Sequence, residues 1–69
     1  MRKASKMIRK LRHTMGIDQT EFGYLIDKSK QTVWHYEQGS RRPTLDTIKI
    51  IIGLAKKHEI KLKMEDFIK

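Results

Sequence analysis

Apolar side chains return along the first fifteen residues at intervals of four, three and four: Ala4, Ile8, Leu11 and Met15, with basic residues filling the gaps. This is the spacing of one face of an α-helix, and it predicts a helix from Ala4 to Met15. Lys3 or Ala4 begins it raggedly, without Ser5 as a cap. Gly16, free to take positive φ, ends it. Asp18 followed by Glu21 approaches a capping box and predicts a second helix over Gln19 to Ile26, with Phe22, Leu25 and Ile26 facing inward. Asp27 and Lys28 form a turn. Ser29 caps a third helix, with Val33 and Tyr36 on its buried side and Gly39 at its end. Ser40-Arg41-Arg42-Pro43 reads as a basic loop. Thr44 then caps a fourth helix running to about Lys57, with Leu45, Ile48, Ile51, Ile52 and Ala55 inward. Met64 to Ile68 makes at most one further short helix. No stretch of useful length alternates with period two, so the fold class is all-α.

Two short helices, Gln19–Ile26 and Ser29–Gln38, joined by a tight turn have the physical form of a helix-turn-helix. Where they cross, the first needs a small side chain, and Gly23 supplies it. The turn needs a residue tolerant of left-handed φ, and aspartate, here Asp27, is among the few non-glycine types that manage it.

Composition narrows the partner. The chain has 69 residues, without repeat, linker or low-complexity tract, and is expected to form one domain over residues 1–69. That is near the lower limit for a core without staples. Cysteine is absent, which removes disulfides, thiolate metal sites and the small secreted disulfide class. The basic N-terminus is not followed by an apolar run, and Ile50-Ile51-Ile52 is far too short to span a bilayer. The expected location is therefore the cytoplasm, with no membrane partner. Sixteen Lys and Arg against eight Asp and Glu leave a net charge of +8. Arg2, Lys3, Lys6, Arg9, Lys10 and Arg12 all precede the first acid, Asp18. Such an excess favours a polyanionic partner, although a solvated face explains a charge excess equally well.

The run Met15-Gly16-Ile17-Asp18-Gln19-Thr20-Glu21-Phe22-Gly23, continued by Ser29-Lys30-Gln31-Thr32-Val33-Trp34-His35-Tyr36-Glu37-Gln38-Gly39, resembles the phage repressor and Cro-type helix-turn-helix family. That family reads Gly-Leu-Thr-Gln-x-Glu-Leu-Ala, then Ser-x-x-x-Ile-Ser-x-Trp-Glu-x-Gly, then a proline and an apolar helix. The likeness extends from roughly Ile8 through Ala55. Asp27 stands where glycine is usual and Gly23 replaces alanine, and both preserve the steric requirement. Trp34 occupies a position that is often small or polar. The resemblance implies a five-helix repressor-like bundle that binds double-stranded operator DNA. It also implies that Gln19 fixes a phosphate and that Arg12 and Glu37 form a salt bridge. Physics agrees on the last point, because Glu37 near a helix C-terminus is electrostatically poor without a cation.

On a wheel of roughly 100° per residue, Lys30, Gln31, Trp34, His35 and Gln38 face away from Val33 and Tyr36. Gln31 suits a bidentate pairing with adenine, and Lys30 or His35 suits donation to guanine. Ser29, Thr32, Arg41 and Arg42 are candidate backbone contacts. Trp34 has three further possibilities: stacking on sugar, packing on a groove wall, or burying its ring locally. His13 and His58 lack partners at ligand spacing, so a surface role is expected and no metal or other cofactor is. The methionines read as core filler. No nucleophile-base set, paired carboxylates or phosphate-binding glycine loop appears, so an enzyme is not expected. The rivals are a cationic membrane-active helix and a protein adaptor.

One helix-turn-helix reads too few base pairs to select a site, so a homodimer on a pseudo-palindrome is expected. Ile50 lies off the core face of the fourth helix, and Ile60, Leu62, Phe67 and Ile68 offer more apolar surface than a short segment readily hides. A two-fold interface through this C-terminal region follows. The role expected is a repressor of phage or bacterial type. The alternative is an antitoxin that autorepresses its operon and binds a toxin protein.

Overall fold

A computed structural model describes residues 2–68. The two end residues of the expected domain, and the Arg2 side chain of the basic cluster, lie outside that description. Four α-helices follow one another: α1 (Arg2–Met15), α2 (Gln19–Ile26), α3 (Lys30–Gln38) and α4 (Leu45–Lys57). A single 3-10 turn, Met64–Phe67, closes the chain, so the expected fifth helix is not formed. Four residues are too few to repay the nucleation of an α-helix. The turn instead positions Phe67, which is 2% exposed, in the core.

Each helix starts and stops on local chemistry. The Asp18 carboxylate accepts from the Glu21 N–H at 2.8 Å, and Glu21 accepts from the Asp18 N–H at 3.3 Å, which closes the capping box. Ser29 and Thr44 accept from the N–H groups of Thr32 and Thr47 and so cap α3 and α4. These contacts satisfy amides that lack a partner inside the helix. At the other ends, Gly16, Asp27, Gly39 and Glu59 all take positive φ. Asp27 and the two glycines were legible in the sequence. Glu59 was not: its N–H donates to Lys56 O at 3.2 Å while Ile60 N–H returns to Ala55 O at 2.9 Å. That is the double closure of a Schellman motif, formed on a residue type that disfavours it.

One core cluster holds Ala4, Ile8 and Leu11 of α1, Phe22 and Ile26 of α2, and Val33 and Tyr36 of α3. Ile48, Ile51 and Ala55 of α4 join it, together with Leu62 and Phe67. Leu25 and Leu45, expected inside, are exposed. Each sits roughly 100° from the centre of its helix's buried stripe, too far round to reach the core. Thr47 is buried where Leu45 was expected, its hydroxyl accepting from Thr44 at 3.1 Å. The segment after α4 packs back across α1 and α4. It hides Leu62 and Phe67, half-buries Ile60 and leaves Ile68 in solvent. Phe67 is therefore a core residue and no part of an external surface.

Candidate nucleic-acid interface

α2 and α3 pack closely because nothing stands at position 23. A Cβ built there would overlap the carbonyl oxygen of Lys28, in the turn that joins the two helices. The tight approach foreseen for Gly23 is thus against the turn backbone. Asp27 supplies the left-handed step with φ 58°, and the N–H groups of Asp27 and Lys28 both donate to Gly23 O.

This turn sets α3 with Val33, Tyr36 and Glu37 buried and Lys30, Gln31, Trp34 and Gln38 in solvent. Gln19, Ser29, Lys30, Gln31 and Trp34 line one shallow, open groove. Five of the side chains singled out from the sequence are therefore brought together, from two helices and a cap. Trp34 remains 46% exposed, so it does not bury itself locally. Its centroid lies 5.0 Å from that of His35, with the planes at 79°, an edge-on contact.

The remaining candidates are placed differently. Thr32 is half-buried, and its hydroxyl lies 3.0 Å from that of Ser29, within the cap of α3. Arg41 and Arg42 stand exposed on the loop after α3, and neither pairs with a carboxylate among the described residues. Half-buried His35 turns its Nδ1 to Ser40 Oγ at 2.8 Å, and the Ser40 hydroxyl donates to His35 O at 3.3 Å. Both contacts hold together when Nδ1–H is the donor, which makes Nε2 an acceptor in the neutral ring. The sequence suggested a donor at this position.

Behind the groove lies a charged knot. Glu37, its side chain 1% exposed, receives Arg12 Nε on Oε2 at 2.7 Å and the second Arg12 nitrogen on Oε1 at 3.1 Å. Gln19 Nε2 also donates to Oε1, at 3.3 Å, and Arg9 approaches the same oxygen to 3.6 Å. Arg12 spends a further donor on Ile17 O at 3.1 Å. Burial pushes the Glu37 carboxyl up, but the hydrogen bonds from Arg12 and Gln19 and the charges of Arg12 and Arg9 outweigh it and hold the group below its ordinary range. The Arg12–Glu37 pair was expected. The inclusion of Gln19 and Arg9 was not, although Arg9 lies one helical turn before Arg12, a spacing that was open to view.

Among the described residues no cluster of His, Cys, Asp and Glu could hold a metal ion, and no helix is long and apolar enough to cross a membrane. A family model described as helix-turn-helix matches residues 8–57, from the middle of α1 to the end of α4. No curated protein and no solved structure matches the chain.

Proposed function

The chain belongs to the phage repressor and Cro-type helix-turn-helix family of DNA-binding transcriptional regulators, and on that premise we propose that it is a repressor that binds a pseudo-palindromic operator as a dimer. The observation that carries the reading is the outward face of α3, where Lys30, Gln31 and Trp34 share one groove with Gln19 and the cap residue Ser29. Apolar side chains hold the opposite face in the core. A helix so presented fits the major groove, about 12 Å wide.

In this reading Gln31 pairs with adenine and Lys30 with guanine, both bidentate or near-bidentate pairings of the major groove. His35 presents Nε2 to a base edge, and Trp34 packs on a sugar or a thymine methyl. Gln38 contacts the groove edge. Gln19, Ser29, Thr32, Arg41 and Arg42 hold the phosphates and fix the register. Residues 1–69 act as one DNA-binding domain. The dimer face is the outward strip of α4, with exposed Ile50 and Gly53 beside half-buried Leu54. A second copy there would set the two α3 helices about 34 Å apart, one DNA turn.

Selection of bound duplexes from a random pool tests this. The expected product is a two-fold symmetric site, bound more tightly than either half alone. Gln31→Ala is expected to cost about 1–3 kcal/mol on that site and to relax one base-pair preference. Ile50→Glu is expected to lose the preference for the whole site over its half while remaining folded. Recovery of no preferred sequence would refute the reading.

A further inference from the structure

We propose that Arg9 is a phosphate-binding residue of this interface, held in place by Glu37 without being consumed by it. The proposal rests on the DNA-binding reading above. Glu37 Oε1 already accepts from Arg12 and from Gln19, and a carboxylate oxygen offers about two lone-pair sites. Arg9 therefore finds no acceptor there. Its Nε stops at 3.6 Å, beyond hydrogen-bond range, and its side chain is 49% exposed. Charge draws the guanidinium toward the knot, while its donors stay unspent.

The surroundings supply the rest. Gln19, the other donor on Oε1, lines the groove beside Lys30, Gln31 and Trp34. On its other side Arg9 lines an open hollow on α1 with Lys6, Lys10, His13 and Thr14. No acid lines either depression. Arg9 thus stands between the reading groove and a basic face of the first helix. Two arginines against one carboxylate leave the knot a net cation. The ligand that fits is a phosphodiester flanking the bases that α3 reads, because a planar fork with free N–H groups takes two phosphate oxygens at once.

The competing explanation is that Arg9 merely helps to neutralise Glu37. Arg9→Ala separates the two. Binding of a labelled random-sequence duplex and of the selected site is measured over a salt series, with urea unfolding in parallel. The expected result is a fall of about 0.9 per bound protomer in the steepness of the log–log salt slope, alike on both duplexes, with the unfolding midpoint lowered only slightly by the loss of a charge beside Glu37. Arg9→Lys, which keeps the charge, should restore the slope and recover only part of the affinity. An unchanged slope overturns the proposal, whether or not stability falls, because Arg9 would then serve the knot or only solvent. Binding by the unsubstituted protein that is insensitive to salt would overturn the DNA reading itself, and this inference with it.

Discussion

Truncating Arg12 to alanine strands a carboxylate that water scarcely reaches. The lost contacts are the two-pronged pair with Glu37 and the donor to Ile17 O. Breaking one partner of a buried pair typically costs about 3–5 kcal/mol. Glu37 would keep Gln19 and the nearby charge of Arg9, so the lower end, about 3 kcal/mol, is expected. A domain of this length holds roughly 3–10 kcal/mol in all, so the variant should be marginal at room temperature. Replacing both partners, as in Arg12→Met with Glu37→Leu, should cost far less, because no charge is left buried. The cycle should therefore show a coupling of about 2 kcal/mol or more. Urea unfolding followed by far-ultraviolet circular dichroism reads this directly. With a slope near 1 kcal/mol per molar, Arg12→Ala should move the midpoint by roughly 3 M. The pH dependence gives a second reading. Glu37 titrates lower folded than unfolded, so its contribution is fully present above the unfolded value, about 4.3, and is lost as pH falls through the folded one. Stability of the natural protein should thus fall below about pH 5 more steeply than that of Glu37→Gln. Single losses that simply add in the double variant would refute the clamp.

The αL position of Glu59 predicts that Glu59→Gly stabilises by about 0.5–1 kcal/mol, seen as a rise of a few degrees in thermal midpoint; a fall would contradict the cap geometry. Gly23→Ala gains about 1 kcal/mol of helix propensity but meets the Lys28 carbonyl, so a net loss of about 1–2 kcal/mol is expected in chemical unfolding. A gain would mean the turn yields freely. Phe67→Ala should cost about 3 kcal/mol or more, whereas Ile68→Ala should change stability by less than about 0.5 kcal/mol; equal effects would place the C-terminal turn wrongly.

What was legible in the chain was what its neighbours in sequence decide. Asp18 with Glu21, Ser29, Thr44, Gly16, Asp27 and Gly39 each act within a few residues, and every boundary they marked was met or missed by no more than two. The outward face of α3 also followed from periodicity alone. Four kinds of feature escaped. Leu25 and Leu45 sit at the margins of their stripes, where only the packing partner decides between core and solvent. Glu59 takes left-handed φ because Ile60 turns back toward the core, a demand from elsewhere in the fold. The knot around Glu37 draws Arg9 and Arg12 from α1 and Gln19 from the start of α2. Only the Arg12 partner was foreseen, through family resemblance and the poor placement of an acid at a helix end. Phe67 reads as surface in the sequence, because no local signal tells a short apolar tail from a core plug.

The close approach at Gly23 also makes the turn a pivot with no slack. About seven residues separate Lys30 from Glu37, a lever of roughly 10 Å. If the knot holds the far end, pushing the Lys28 carbonyl aside by about 1 Å swings α3 through roughly 5°. Lys30 and Gln31, nearest the moved end, would travel almost the whole distance, while hydrogen bonds tolerate only a few tenths of an ångström. A position that meets no ligand thereby governs the aim of those that do. Variation there would misalign the reader before it unfolded the protein, leaving a molecule still folded and still basic that had lost its choice of sequence.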